Sequence, residues 1–451
     1  MDDLPFPLSS SHKPLVKRPS AQAIGLSPQA RTILIWMCAL IAANQLGFGA
    51  VVPVVALYAE DFDVSKTAIG LTIAVYGLAR FLVNYPTGYL ADRVGRKPTL
   101  ALGGAITVVG TLLCAVAPTY EVFLAARFVA GAGAALVLTA GQIVLADIAS
   151  PHNRGRVMAI YTGVFVFAVG AGSFPGGWLA TNVGPAAPFV ANAVLAGVVT
   201  LLALLVVPET RPAAVRPTAR GSEPDAATVD LGLPPADPRP EPAAKLSLGG
   251  QIRLLTAIPG FGLICLVSFS AFFARTGGLF NVIPLLAEDQ IGLGPDQIGL
   301  GIGMISIVGL VLVYPSGMLV DRFGRKAVII PSTIFSAAAM ILFPFVDSFT
   351  GFLVASLLWA ASSGVAGAAP AAYAADLAPK DRVGPALGLY RTVADLGYVV
   401  GPLSLGLLSD VASPEVALFF TAGLLVVSGA LFLLNAPETL PPRPPAESTV
   451  P

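Results

Sequence analysis

The sequence predicts an all-α membrane protein: twelve transmembrane helices in two pseudo-symmetric six-helix bundles. Three observations carry that expectation. Of 451 residues, 55% are hydrophobic and only 12% charged, with mean hydropathy +0.80. A soluble domain carries roughly 25% charged residues, so lipid must cover what water here cannot. The apolar residues form continuous runs rather than alternating ones, which favours helices over strands. The second half of the chain also repeats the first at a fixed offset.

The runs place spans near 32–57, 68–91, 98–117, 121–147, 156–180, 186–207, 256–287, 297–320, 327–346, 350–377, 384–409 and 415–436. Each is long enough for a hydrocarbon core of roughly 30 Å. The domain order is then an N-terminal tail (1–31), a six-helix bundle (32–207), a flexible linker (208–255), a second bundle (256–437) and a C-terminal tail (438–451). The linker is rich in Pro, Ala and charge and lacks the apolar residues of a packed core. Residues 1 to 30 lack the apolar stretch of a signal peptide, so the first span is expected to remain as its own anchor.

Charge orients the spans. The loops after odd-numbered spans carry one basic residue, Lys66, whereas those after even-numbered spans carry Arg93, Arg96, Lys97, Arg154, Arg322, Arg325, Lys326, Lys380 and Arg382. The positive-inside rule puts both termini and the linker in the cytoplasm of a cell whose limiting membrane the chain crosses many times.

The repeat is anchored by Gly88-Tyr89-Leu90-Ala91-Asp92-Arg93-Val94-Gly95-Arg96-Lys97, which recurs as Gly317 to Lys326 with Asp321 standing 229 residues after Asp92. The same offset relates Gly70 to Gly299, Pro86 to Pro315, Asp147 to Asp376 and Pro208-Glu209-Thr210 to Pro437-Glu438-Thr439. Two parallel six-helix repeats around a midplane site are a transporter architecture.

The repeated loop resembles the signature between spans two and three of the major facilitator superfamily, and the resemblance covers nearly the whole chain. In that family the loop acid, with an acid at the end of span four, latches the cytoplasmic side shut. The resemblance extends that role to Gly88, Asp92, Arg93, Gly95, Arg96 and Asp147, and to Asp321, Arg325 and Asp376 in the repeat. Physically, Gly88 permits close helix approach and Gly95 a tight turn. Asp92, at a helix C-terminus, suits pairing with Arg96 or with the N-terminus of the eleventh span.

Further matches resemble the twelve-span drug–proton antiporter branch. Leu46-Gly47 followed by Pro53-Val54 is similar to a first-span motif, with Leu57 where a final Pro is expected. Arg127 with Gly131, Gly133, Ala134 and Ala135 is similar to the fourth-span motif of proton-coupled members, with Ala130 in place of its Gln. Gly172-Ser173-Phe174-Pro175-Gly176-Gly177 resembles the antiporter motif, with Ser173 where Pro is expected. Gly397, Gly401 and Pro402 repeat it in span eleven.

Within the spans the ionisable residues are Arg80, Arg127, Arg275, Arg391 and Asp395. Each costs on the order of 2.5–3.5 kcal/mol to insert and is therefore a functional candidate. Asp395 is the one acid well inside a span, and desolvation there suits a proton carrier. Arg391 lies one turn before it and offers a structural ion pair instead. Arg127 is read either as a proton relay, as the resemblance implies, or as a donor to helix carbonyls. Aligning Pro53 with Pro284 sets Asn44 opposite Arg275. With Gln45, Asn281, Arg391, Phe48, Phe273, Phe280 and Tyr398 these are the substrate-contact candidates.

Four arginines against one acid favour a neutral or anionic solute over a lipophilic cation. Proton-coupled efflux of a small organic molecule by a monomer is the leading expectation. Import of an organic anion with protons, and lipid flipping, are the alternatives. Partners are the solute, protons and membrane lipid, with no nucleic acid. No Gly-x-x-x-x-Gly-Lys-Ser/Thr run is present. Cys38, Cys114 and Cys265 sit singly in apolar runs, and His12 and His152 are isolated, so neither cofactor nor metal is expected. No nucleophile–base constellation points to an enzyme.

Overall fold

The computed structural model describes residues 26–149, 153–210, 248–367, 369–379 and 383–439. Most of the expected tails and linker, with His12 and His152, lie outside the described residues. Twelve helices are long and apolar enough to cross a membrane. They are α1 (Pro28–Val51), α2 (Lys66–Val94), α3 (Arg96–Ala115), α4 (Tyr120–Ile148), α5 (Arg154–Asn182) and α6 (Ala187–Leu205). The second bundle holds α7 (Phe261–Ile291), α8 (Pro295–Phe323), α9 (Arg325–Leu342), α10 (Phe349–Leu377), α11 (Val383–Val411) and α12 (Pro414–Asn435). No strand occurs among the described residues.

Two spans depart from expectation, and Pro or Gly explains each. The first span was expected to reach 57, but α1 ends at Val51 and the chain restarts as a short helix, Val55–Glu60. Pro53 between them has no N–H to donate and would clash with a carbonyl one turn back. The seventh span starts at Phe261 rather than 256, after Gly260 at φ +88°, and runs on to Ile291. Its middle, Ala274–Val282, is a π-helix just ahead of Pro284. The wider i→i+5 bonding absorbs the donor that Pro284 lacks.

The repeated turns show why their glycines are needed. Gly95 and Gly324 have φ of +121° and +96°, which L side chains rarely adopt. A Cβ on either would also strike a carboxylate, that of Glu209 or of Glu438. Glu209 accepts from the Arg96 and Lys97 backbone N–H at 2.9 and 3.2 Å. Glu438 does the same for Arg325 and Lys326 at 3.2 and 3.1 Å. Each repeated Pro-Glu-Thr therefore caps the third helix of its own bundle.

The basic turns α2–α3 and α8–α9 define one end of the molecule, the basic face. The opposite, acidic face holds the α1–α2, α7–α8 and α11–α12 turns. The bundles meet along two crossings, α2 with α11 and α5 with α8, related by the 229-residue offset almost atom for atom. A Cβ at Gly70 would meet the Pro402 carbonyl, and one at Gly299 the Ser173 carbonyl. Gly406 lies on the Lys66 carbonyl and Gly177 on the Pro295 carbonyl. Asp410 accepts from the backbone N–H of Lys66 and Thr67, each at 2.8 Å, and from the Thr67 hydroxyl. In the other crossing Thr181 donates to Asp296 at 3.3 Å. Carboxylate and hydroxyl have exchanged helices between the two crossings. Lys66 adds an ion pair with Asp289 at 3.1 Å.

The apolar core follows the same division. Toward the acidic face one cluster joins both bundles, from Val51, Ile73 and Phe123 to Phe280, Ile298 and Leu405. Toward the basic face each bundle keeps its own, around Met37, Leu100 and Leu145 in the first and Phe261, Tyr373 and Phe432 in the second. At that end Gly88 on α2 and Gly317 on α8 face open space. The bundles are thus closed at the acidic face and parted at the basic face. On the acidic face an open depression of about 560 Å³ is bordered by Glu60, Asp61, Glu288 and Asp289.

Candidate functional site

The intramembrane charges gather at mid-height on the seam between the bundles. Each arginine lies over an aromatic ring. Arg80 is 5.5 Å from the Tyr398 ring centre, Arg127 4.6 Å from Tyr76, Arg275 5.7 Å from Phe280 and Arg391 5.3 Å from Phe272. A guanidinium held against a π face is partly stabilised there and keeps its in-plane N–H donors. Tyr398 joins the set. It projects from α11 into a notch at Gly77 of α2, where a Cβ would meet its ring. Its charged neighbours are Arg80 and Arg127 of the first bundle and Arg275 and Asp395 of the second. Phe48 stacks on Tyr76 at 5.4 Å. A small cavity lined by Phe48, Ile73, Arg127, Phe280 and Tyr398 lies beside them.

The arginines differ in what holds them. Arg127 is buried at 3% exposure and donates from Nε to the Thr72 carbonyl at 3.3 Å, the arrangement of a donor to a helix carbonyl. Arg391 pairs with Asp395 at 3.2 Å, with side chains 54% and 18% exposed, so the ion pair read from their spacing is formed. Arg80 Nε is buried with no hydrogen-bond partner. Neither Arg80 nor Arg275 has a carboxylate partner among the described residues.

The other candidates scatter. Asn44 and Gln45 are buried, and Asn44 donates to the Gln45 side chain at 2.8 Å. Asn281 donates to the Pro402 carbonyl at 3.2 Å, leaving its buried Oδ1 without a partner. Phe273 packs against Phe269 and Phe420 within the second bundle. The glycines of the fifth-span motif are packing surfaces: Gly172 and Gly176 lie on the α1 backbone at Leu46 and Ala50, and Gly177 on α8. Gly397 and Gly401 lie likewise on α7 at Phe269 and Phe273. Ser173, standing where Pro was expected, donates to the Val169 and Gly49 carbonyls.

Sequence reasoning marked Arg80 as a functional candidate by its charge alone, without its ring, and left out Tyr76, Gly77 and Phe272. The spacing of Tyr76 and Arg80 puts both on one helix face and was a usable signal. Gly77 and Phe272 act only through partners distant in sequence.

At the basic face the signature acids and arginines form two parallel networks. Arg96 bridges Asp92 at 3.1 Å and Asp147 at 3.0 Å, and Thr210 donates to the same Asp147 at 3.0 Å. Arg325 pairs with Asp376 at 3.0 Å, and Thr439 donates to it at 3.1 Å. Arg93 is exposed at the end of α2. The Asp321 side chain lies outside the described ones. All these contacts stay within one bundle. Asp92 meets Arg96, one of the two partners expected for it, and Gly88 has no close neighbour.

Two six-helix repeats closing about a charged midplane seam define a membrane transporter. No strand occurs and no group of metal-binding side chains is found among the described residues. The model of the Major Facilitator Superfamily matches residues 37–288 and 264–451, and the chain belongs to that family. It is 24% identical over 414 residues to an uncharacterized MFS-type transporter of Methanocaldococcus jannaschii, covering 90% of this chain and 98% of that one. It is 24% identical over 375 residues to the quinolone resistance protein NorA of Staphylococcus aureus, covering 81% and 87%. Among solved structures it is similar to a bacterial homolog of the human lysosomal transporter Spinster in an inward-facing, occupied conformation. There the TM-score is 0.73 and the identity 15%, over 91% of this chain and 97% of that one.

Proposed function

We propose that this transporter exports small organic molecules, neutral or anionic, in exchange for protons, by alternating access. It works as a monomer in the cell membrane, with the basic face and both termini toward the cytoplasm. The observation that carries this reading is the charged seam. It lies where the bundles part, it is shared by both bundles, and its charge is positive. Asp395 is the one carboxylate on it, and it carries the proton. In the cytoplasm-facing state Arg391 is ion-paired with Asp395. Protonation releases Arg391, which then faces the open seam. Arg127 keeps the local potential positive. The basic-face networks form the latch, closing against α11 when the acidic face opens. The likeness to NorA supports efflux. The unpaired arginines also suit the alternative of an organic anion imported with protons.

Purified protein in liposomes with an imposed pH gradient and an internal pH dye tests the reading. Solute-dependent proton flux that disappears in Asp395→Asn is expected, with solute and protons moving in opposite directions. Movement in the same direction would establish import. Solute movement without proton flux, unchanged in Asp395→Asn, would overturn coupling and leave Arg391–Asp395 a structural pair.

A further inference from the structure

We infer that the seam takes an organic anion whose acidic group is gripped between Arg80 of the first bundle and Arg275 of the second, against the Tyr398 phenol. The inference rests on the reading of the seam as the substrate site and narrows its substrate class to anions.

An intramembrane arginine is costly to insert, and an aromatic face returns only part of that cost. Asp395 is the single carboxylate for four guanidinium groups and is spent on Arg391. Arg127 hands one donor to the Thr72 carbonyl. Arg80 and Arg275 retain both charge and donors, and Arg80 Nε is buried without a partner. A ring covers one face of each guanidinium and leaves its in-plane N–H donors uncommitted, and such a fork can grip a carboxylate or sulfonate with two parallel hydrogen bonds. A cation placed there would add to an already uncompensated positive charge.

The position adds a second argument. Arg80 rides on α2 over the Tyr398 ring and Arg275 on the π-helical stretch of α7 over the Phe280 ring, and both rings line one small cavity. An anion held by the two arginines ties one bundle to the other across the seam. Binding energy is then spent on closing the bundles around the ligand, as alternating access requires. Arg80 corresponds by the 229-residue offset to Gly309. The repeat symmetry that holds at the crossings is broken at the site itself.

Isothermal titration of the purified full-length protein in detergent with three size-matched probes tests this: 2-naphthoate (anion), 2-naphthamide (neutral) and 2-naphthamidine (cation). Naphthoate is expected to bind at least about tenfold more tightly than the other two. Arg80→Gln and Arg275→Gln should each abolish that preference, and Arg31→Gln, at the far end of α1, should keep it. Arg80→Lys keeps the charge but loses the fork, and should retain part of the preference. Equal binding of naphthamide, no binding by any probe, or a preference unmoved in both Gln variants with unchanged melting temperature would overturn the inference. The outcome is separable from the proton-flux test. Anion preference without coupled flux would leave the inference standing and remove proton exchange. Coupled flux with no anion preference would do the reverse.

Discussion

At the residue scale, single atoms set how closely the bundles meet. Gly77 is the clearest case, because the Tyr398 ring occupies the volume a Cβ would need. Gly77→Val should push α2 off α11 and penalise the acidic-face-closed state by about 1–3 kcal/mol, the usual cost of overpacking. A cysteine reporter near the acidic end of α11 should then react faster with a membrane-impermeant thiol reagent, while the melting temperature changes little. Slower labelling would show that Tyr398 simply rotates aside. This is also where the sequence was least legible. Arg80 was visible as a charge, but the Tyr398 ring that receives it lies 318 positions away. Asn44 and Gln45 looked like site residues because they are polar in an apolar span, yet Asn44 spends a donor on its neighbour Gln45. A polar side chain within a helix advertises a need for a partner without saying where the partner is.

At the element scale, helix ends carry the function of the loops. Glu209 caps α3 as Glu438 caps α9. Glu209→Ala and Glu438→Ala should each destabilise their bundle by about 1–2 kcal/mol. The two effects should add, because the caps share no partner. Thermal melts of the single and double variants check both points. The short helix Val55–Glu60 supplies a pH response. Burial, then the neighbouring Asp289, pushes the Glu60 carboxyl above its ordinary range, with Lys66 pulling the other way and Asp61 adding a smaller push. The sign follows from a pKa higher in the closed state than in water. Below both values Glu60 is neutral and closure costs nothing. As pH rises through them, the ionised carboxyl penalises closure. Alkaline medium should therefore open the acidic face, and Glu60→Gln should flatten that dependence in thiol-labelling rates measured between pH 4 and pH 8. An unchanged dependence in the variant would assign the response to Glu288, whose carboxyl pKa burial also raises. The spans were legible from hydropathy. Their interruptions were not fully so, since Pro53 marks a break only once the helix around it is seen to stop at Val51.

At the scale of the whole molecule, the duplicated architecture was readable because one offset survives from α2 to the end of α6. The structure explains its survival: the matched glycines Gly70 and Gly299 touch backbone where the bundles cross, while the matched acids and Pro-Glu-Thr runs pair with and cap the third helix of each bundle. The parting of the bundles was not readable, because one sequence serves both states and contacts for the second are written over the first. Gly88 illustrates this, a close-approach glycine with nothing beside it here. Closure at the acidic face predicts a crosslink. Thr67 and Asp410 hydrogen-bond across the bundles, so Thr67→Cys with Asp410→Cys should form a disulfide under oxidation. Solute transport should stop and return on reduction. Transport that continues in the oxidised, crosslinked protein would exclude opening of this face from the cycle.

The depression ringed by Glu60, Asp61, Glu288 and Asp289 gives the arginine seam an electrostatic opposite. Within a screening distance of about 8 Å at physiological salt, such a rim thins the local population of anions. A negatively charged ligand that leaves by this route is hurried into bulk solution and finds re-entry disfavoured. For an anion exported as proposed, the rim would act as a check valve without a moving part, one that weakens as acid neutralises Glu60 and Glu288, whose carboxyl pKa values burial raises.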